Sequence, residues 1–89
     1  AEIERLARRA PGIIDCAVVG RPDPQWGQVP VLFAVTAGDA LDREGLQRVF
    51  VNGLARYKHP RLVIEIQVLP RTALGKVDVG ALRAAALLG

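Results

Sequence analysis

The sequence predicts an α+β domain, in which a small three-stranded sheet is flanked by helices in the order αββαβα. Its 89 residues are enough for one domain with a single small core. Hydrophobic residues make up 51% of the chain, as in folded globular proteins. Segments with helical spacing alternate with β-branched runs, and Pro or Gly separates them.

The first half of the chain predicts one helix followed by two strands. Apolar residues recur with helical spacing until Pro11 and Gly12 end the pattern. A segment with two prolines and a glycine then separates two β-branched runs, so we expect a loop there. Pro30 cannot donate a ladder hydrogen bond and marks a strand start or an edge. The predicted elements are a helix over residues 1–10, a strand over 13–20, a loop over 21–27 and a strand over 31–36.

The second half predicts a helix, a strand and a final helix. Asp42 is a good N-cap for the first of these. In the strand, Ile64, Ile66 and Val68 alternate with polar residues and are expected to point to one side. The predicted elements are a helix over 43–54, a polar link over 55–61, a strand over 62–69, a loop over 70–76, and a helix that follows Asp78 and turns Val79, Leu82 and Ala86 inward.

The composition excludes several classes of site. One cysteine rules out an internal disulfide, which favours a reducing compartment and hence a cytoplasmic location. One histidine and no CxxC or HExxH spacing argue against any metal site, and the absence of serine removes every serine nucleophile. No apolar run approaches the ~18–20 residues of a membrane helix, so we expect no membrane span.

The two residues with reactive side chains have ordinary explanations. Cys16 lies in a predicted strand among apolar residues, which indicates a buried, inert thiol. His59 has no neighbouring carboxylate to orient it as a general base. Gly75 and Lys76 do not form a phosphate-binding P-loop, because Pro70 and Val77 occupy the positions that need Gly and Ser or Thr.

The net charge is +3, from twelve Lys and Arg against nine Asp and Glu. The basic residues are scattered, which is typical of a solvated mixed surface; a local polyanion site is the alternative. Their tightest group is Arg56, Lys58, His59 and Arg61. Only four aromatic residues are present, too few for a single-stranded nucleic-acid reader, so we expect no nucleic-acid partner.

Six ordered segments together resemble a known family. They are residues 1–4 (AEIE), 11–14 (PGII), 17–23 (AVVGRPD), 26–28 (WGQ), 56–61 (RYKHPR) and 69–76 (LPRTALGK). From end to end, the chain resembles the small C-terminal domain of the adenylate-forming superfamily. This superfamily comprises acyl-CoA synthetases, adenylation domains of nonribosomal peptide synthetases and firefly-type luciferases. The resemblance implies that residues 1–89 are a mobile lid, with the large N-terminal domain and the hinge lying upstream.

The resemblance implies a catalytic role for Lys76, which would reach into a joint active site during adenylation. Gly75 would let the backbone approach closely, and Pro70 would stiffen the base of the loop. Thr72 would make either a local turn hydrogen bond or a ligand contact. ATP with Mg²⁺ and CoA would bind jointly with the N-terminal domain, and none of them is expected on the isolated fragment.

The resemblance also implies a second binding surface, for the CoA nucleotide. It would comprise Trp26, Tyr57, Lys58, His59 and Arg61, with flat rings for adenine and a guanidinium for phosphate. For Trp26 the alternative is that it covers the sheet, and for Lys58 that it lies in a solvated turn.

Three residues depart from the family pattern. Glu65 stands where an apolar strand residue is usual, which suggests that its face is exposed. Val68 replaces an acidic residue, and Gln28 replaces a glutamate.

The implied function is that of an ATP-dependent acyl-CoA synthetase, with the lid inactive alone. Its partners would be the N-terminal domain of the same enzyme, ATP, CoA and a carboxylic acid. The alternatives are a peptide-synthetase adenylation domain that acts on a carrier protein, and a stand-alone binding module without catalysis.

Overall fold

The computed structural model describes residues 2–88. The prediction for Ala1 therefore lies outside the described residues. The elements are α1 (Glu2–Ala7), β1 (Ile13–Asp23), β2 (Gly27–Thr36), α2 (Arg43–Gly53), β3 (Leu62–Glu65) and α3 (Val79–Leu88), with a short 3₁₀ turn at Arg56–Lys58. This confirms the predicted α+β class and the αββαβα order.

The sheet has the strand order β1-β2-β3, so β2 is central. β1 and β2 form an antiparallel hairpin, whereas β3 runs parallel to β2. A parallel neighbour requires a crossover connection, and α2 supplies it. The mixed sheet therefore combines the β1–β2 hairpin with a parallel strand, β3, that is reached through α2.

Both faces of the sheet are covered by helices. Along β2, Leu32 and Ala34 pack into a core with α1 and α2, which includes Phe50. Val31 and Phe33, on the other face, pack with α3. The side chains of these four strand residues are at most 1% exposed. The period of two along β2 thus creates two small cores in a three-layer domain.

The first helix is shorter than predicted. α1 ends at Ala7, and Arg8–Ala10 form turns in which the Arg9 and Ala10 N–H groups donate to the carbonyls three residues back. Such bonds tighten the last turn of a helix. Ala10 is nevertheless buried, so its predicted place in the core is confirmed.

The predicted loop over residues 21–27 is wrong over most of its length. β1 continues to Asp23 and β2 begins at Gly27, which leaves only residues 24–26 as the connection. Pro22 does not interrupt β1, because β1 is an edge strand and the missing N–H can face its free side.

Pro30 lies inside β2 rather than at its start. Its carbonyl accepts a hydrogen bond from the Arg61 N–H at 2.8 Å, on the side of β3. The backbone nitrogen and carbonyl of a strand residue point the same way, so the missing donor also faces that side. β3 begins to pair only at Val31, so no ladder bond is lost.

The third strand is shorter than predicted, and Val68 does not share the side of Ile64 and Ile66 as predicted. β3 ends at Glu65, although the Ile66 N–H still donates to the Ala34 carbonyl at 2.9 Å. β2 ends at Thr36, so little strand remains for later residues to pair with. Ile64 and Ile66 share a side, as predicted, and pack against the α3 core, but Val68 is 73% exposed. Glu65 is exposed, as predicted.

The last two helices begin after the predicted caps. The Asp42 carboxylate accepts from the Gly45 N–H at 2.9 Å, and the Asp78 carboxylate accepts from the Ala81 N–H at 3.1 Å. α2 ends at Gly53, one residue before the predicted end. In α3, Leu82 is buried with Ala86, but Val79 in its first turn is 42% exposed, so its predicted inward position is wrong.

Candidate functional site

The segment that carries Lys76 is a small hairpin. The Thr72 N–H donates to the Lys76 carbonyl at 2.7 Å, and the Gly75 N–H donates to the Thr72 carbonyl at 2.9 Å. Arg71 and Val77 pair as an antiparallel bridge below them. Gly75 has φ +84°, in the left-handed region that a three-residue hairpin connection requires. The predicted loop is thus a defined turn, with Lys76 directly after its left-handed residue.

The base of this hairpin is joined to α3. The Pro70 carbonyl accepts from the Asp78 N–H at 2.8 Å, and Asp78 is the residue that caps α3. Thr72 contributes its backbone to the turn, and its hydroxyl has no hydrogen-bond partner within residues 2–88. The ligand contact proposed for that hydroxyl stays a prediction.

One guanidinium spans the hairpin and the sheet. Arg71 Nη1 donates to the Gly75 carbonyl at 3.1 Å, and Arg71 Nη2 donates to Asp15 Oδ2 on β1 at 2.9 Å. Lys76 itself is exposed, and it makes no ion pair with the part of the chain that the structure describes. Its ammonium therefore stands on a braced backbone but faces solvent.

Four of the five residues predicted to bind a nucleotide line one cleft of about 310 Å³. Trp26 enters it from the β1–β2 turn, while Tyr57, His59 and Arg61 enter it from the segment that precedes β3. The remaining lining residues, which the prediction did not assign to this site, are Gln28, Val29, Pro30 and Arg56. Rings and guanidinium groups thus face the same volume.

Asp23 contacts two of the residues that line this cleft, Trp26 and Arg61. Its Oδ1 accepts from the N–H groups of Gln25 and Trp26 at 2.9 and 3.0 Å. Its Oδ2 lies 3.9 Å from Arg61 Nη1. The two backbone hydrogen bonds, aided by Arg61, hold the pKa of Asp23 below its ordinary value. Trp26 is 65% exposed, which argues against its covering the sheet.

His59 is fixed at the back of the cleft. Its Nε2 lies 3.0 Å from the Leu54 carbonyl, and its ring centroid is 5.9 Å from that of Phe50. A carbonyl only accepts, so Nε2 carries the proton of this bond and Nδ1 is left for another partner. The imidazole is therefore oriented by a backbone group rather than by a carboxylate.

Lys58 does not line the cleft. Its Nζ lies 3.6 Å from Glu2 Oε1 at the start of α1 and 5.8 Å from the centroid of the Tyr57 ring. The predicted role of Lys58 in nucleotide binding stays a prediction, and the structure places this residue beside the cleft.

The hairpin of Lys76 and the cleft lie at opposite ends of β1. The hairpin is tied to Asp15 near the start of the strand, and the cleft is tied to Asp23 at its end. Eight residues of strand separate the two carboxylates, which corresponds to roughly 26 Å. The largest extent of the domain is 36 Å, so the two regions occupy distant parts of its surface.

The profile of one protein family, described as "AMP-binding enzyme C-terminal domain", matches residues 2–76. The chain belongs to this family. The match covers both regions: the hairpin as far as Lys76 and every residue that lines the cleft.

Relatives of the AMP-binding C-terminal domain include CoA ligases. The chain is 39% identical over 82 residues to a 2-succinylbenzoate–CoA ligase of Listeria monocytogenes, covering 92% of this chain and 17% of that protein. It is 46% identical over 78 residues to an indoleacetate–CoA ligase of Aromatoleum aromaticum, covering 86% of this chain and 15% of that protein. The chain thus spans about a sixth of the length of these relatives.

Solved structures show the same fold. A fatty acyl CoA synthetase of Mycobacterium tuberculosis superposes with a TM-score of 0.84 at 32% identity, over 94% of this chain and 17% of that one. An amide bond synthetase from Marinactinospora thermotolerans superposes with a TM-score of 0.84 at 31% identity, over 93% and 17% of the two chains. The AMP-binding C-terminal domain is thus found in proteins named for different products.

Three site residues of this AMP-binding C-terminal domain were missed by sequence reasoning: Asp15, Asp23 and Arg71. Asp23 had a local signal, since an Asp before a Pro-containing turn commonly accepts from the backbone two residues on. Asp15 and Arg71 are 56 positions apart, and no local pattern connects them. Only the fold brings this pair together.

Cys16 is buried, as predicted, with 1% of its surface exposed. Burial raises the pKa of its thiol, and Sγ donates to the Glu4 carbonyl at 3.5 Å. Within residues 2–88 there is no group of three or more His, Cys, Asp or Glu placed to hold a metal ion. None of the helices in that range is both long and apolar enough to cross a membrane.

Proposed function

We propose that residues 1–89 are the lid domain of an ATP-dependent acyl-CoA synthetase and act together with a large N-terminal domain of the same protein. The reaction is carboxylate plus ATP to acyl-adenylate and pyrophosphate, then CoA to acyl-CoA and AMP. Membership of the AMP-binding family and relatives named as CoA ligases support this proposal. The cytoplasm is its proposed location, in keeping with a chain whose single cysteine is a free thiol.

Lys76 is proposed to act in the first half-reaction. When a carboxylate attacks the α-phosphate, negative charge builds up between two anionic partners, and a compact ammonium on a flexible stem can bridge both. A charge pair at about 4 Å is worth ~4 kcal/mol at an effective dielectric constant near 20. Only the part gained in the transition state accelerates the reaction. The exposed position of Lys76 on a braced hairpin suits this role.

The cleft is proposed to receive the CoA nucleotide in the second half-reaction. Trp26 and Tyr57 are 65% and 83% exposed, and each offers a flat face for a purine. Arg56 and Arg61 supply planar donors for phosphate. Magnesium is proposed to bind with the ATP triphosphate, since Mg²⁺ is usually held by substrate phosphates, waters and one or two carboxylates.

The observation that carries the proposal is the separation of the two regions along β1. The hairpin is anchored at Asp15 and the cleft at Asp23, roughly 26 Å apart along the strand, which favours their use in different steps. Two half-reactions, with the lid rotated between them, use both. A stand-alone binding module would have no use for the hairpin lysine.

The experiment measures both half-reactions in the protein that includes the large domain. Lys76→Ala is expected to cut ATP–pyrophosphate exchange by about 10²–10³-fold. Thioester formation from supplied acyl-adenylate should persist. Trp26→Ala should instead spare ATP–pyrophosphate exchange and impair thioester formation, with a raised KM for CoA. Arg83→Ala, on an exposed turn of α3, is the control.

Equal loss of both half-reactions in Lys76→Ala would contradict the assigned role. If the acyl group is transferred to a carrier-protein pantetheine but not to free CoA, the protein is instead a peptide-synthetase adenylation domain. Absence of adenylation in the unmodified protein would leave only the binding module.

A further inference from the structure

We infer that Arg71 and Asp15 form a positioning pair that holds Lys76 in place for adenylation. This inference rests on the proposed role of Lys76. The pair contacts the hairpin backbone and the sheet, and neither residue takes part in the chemistry itself.

The contacts connect the hairpin of Lys76 to β1 through one guanidinium. Arg71 Nη2 and Asp15 Oδ2 are 2.9 Å apart, and Arg71 Nη1 lies 3.1 Å from the Gly75 carbonyl oxygen. A planar guanidinium presents donors in a fixed fork, so engaging both acceptors fixes their relative positions. An ammonium at residue 71 would not hold both in this geometry.

The Gly75 carbonyl is the atom whose position matters for Lys76. The peptide unit is planar, so fixing this oxygen also fixes the direction from the Gly75 carbonyl carbon to the Lys76 Cα. Gly75 is the most flexible kind of residue, and its φ of +84° gives a turn without side-chain support. Arg71 therefore restrains the hairpin at its softest point, directly before the lysine.

Asp15 is itself a firm anchor. Its Oδ1 accepts from the Cys16 N–H at 2.9 Å, and Cys16 is buried in the core beneath α1. The register of β1 against β2 shifts between Ile13 and Asp15, and this irregularity places Asp15 where the sheet meets the hairpin. The position of Lys76 is thus fixed relative to the core as well as by its own turn.

Arg8 provides a matched comparison. Its Nη1 lies 3.8 Å from Asp15 Oδ1, so Arg8 and Arg71 share one carboxylate. The side chains of the two arginines are exposed to similar extents, 51% and 46%. Only Arg71 also reaches Gly75. Arg8 Nη2 instead donates to the Cys16 carbonyl at 3.4 Å. The same Arg→Lys change thus weakens one carboxylate contact and one backbone hydrogen bond at each position, but only the change at Arg71 affects the hairpin that carries Lys76.

The test uses the protein with its large domain and compares Arg71→Lys, Asp15→Asn, their double variant and Arg8→Lys. Arg71→Lys should lower the kcat of adenylation about tenfold, because small displacements of a reacting group are costly. KM for ATP should change by less than about twofold, since the pair binds no substrate. Asp15→Asn should behave alike, and the double variant should be no worse than the poorer single one. Arg8→Lys should stay within about twofold of the unmodified protein.

Lys76→Ala separates this inference from the proposed function. In a Lys76→Ala background, Arg71→Lys should cause no further loss, since the pair acts only through the lysine. If Lys76→Ala alone spares adenylation, the proposed function and this inference both fail. If Lys76→Ala is deleterious but Arg71→Lys is no worse than Arg8→Lys, only the inference fails. If the losses from Arg71→Lys and Lys76→Ala add, or if Arg71→Lys alone raises the KM for ATP, Arg71 contacts the nucleotide directly and the inference fails.

A second measurement guards against simple misfolding. In the 89-residue chain, Arg71→Lys should lower the amide order parameters of Gly75 and Lys76 while the urea midpoint stays unchanged. Unchanged order parameters at these two residues would overturn the inference.

Discussion

Asp23 links the shape of the cleft to its charge. One of its carboxylate oxygens accepts the Gln25 and Trp26 N–H groups, and the other faces Arg61. An ionised carboxylate accepts such bonds better than a protonated one, which is why its pKa is lowered. The turn that presents Trp26 is therefore held by a charged form of a single residue.

The turn should loosen in acid, and the sign follows from that lowered pKa. A carboxyl group whose pKa is lower in the folded state stabilises the fold above the ordinary value of 3.8, and this contribution is lost as the pH falls through the lowered pKa. Trp26 fluorescence should change with a midpoint below 3.8, and the step should be absent in Asp23→Asn. The same midpoint in Asp23→Asn would assign the transition to another group.

At the residue scale, the sequence identified the side chains that line the cleft but not the contacts that orient them. Trp26, Tyr57, His59 and Arg61 were expected together from the family resemblance, and they line one cleft. The nucleotide role of these residues is still a proposal. The hydrogen bond that orients His59 comes from the Leu54 carbonyl. Such contacts depend on backbone geometry, which residue types and spacing do not specify.

Each of the two longer helices is capped by a residue that the sequence identified. The Asp42 carboxylate satisfies the Gly45 N–H, one of the four donors left open at the start of α2. α2 then places Leu46 and Phe50 in the core on one face of the sheet. Because α2 is the crossover between β2 and β3, its first turn helps to set where β3 begins.

Removing this cap should weaken the domain measurably. Asp42→Ala is expected to lower the free energy of unfolding by about 1 kcal/mol, or roughly 4–8 °C in Tm. Asp39→Ala is the control: residue 39 is exposed in the preceding turn, where its backbone carbonyl accepts from Thr36, so its change should stay within about 0.5 kcal/mol. Urea denaturation of the 89-residue chain gives both values, and equal losses would contradict the cap assignment.

Element types were predictable, while several boundaries depended on neighbours. α2 and α3 carry their own start signals in Asp42 and Asp78, and both begin after these residues. β1 extends through Pro22 because it is an edge strand, and β3 stops at Glu65, which pairs with Ala34 only two residues before β2 ends. Those two reasons concern the partner strand, so no window of local sequence contains them.

On the scale of the whole molecule, the domain carries two separate regions. Lys76 faces solvent at one end of the sheet, and the cleft opens at the other. The proposed reaction also needs sites for ATP and for a carboxylic acid. Under the proposed function, the large domain supplies both.

The isolated 89 residues should therefore be inactive. No ATP–pyrophosphate exchange is expected from this chain alone, because the transition-state charge that Lys76 would stabilise forms on substrates bound elsewhere. The control is the same assay with the protein that contains the large domain. Measurable turnover by the 89-residue chain would refute the lid assignment.

The hairpin of β1 and β2 has a mechanical consequence. If the domain rotates as a rigid body with one end of β1 near the pivot, the other end is the tip of a lever roughly 26 Å long, and an angular error of about 5° moves that tip by about 2 Å. Reacting groups tolerate much less. A continuous antiparallel ladder from Ile13 to Asp23, broken only by one irregularity near Asp15, resists such bending. Under the proposed function, the part of β1 that the sequence did not predict would add stiffness to a domain that adopts two orientations.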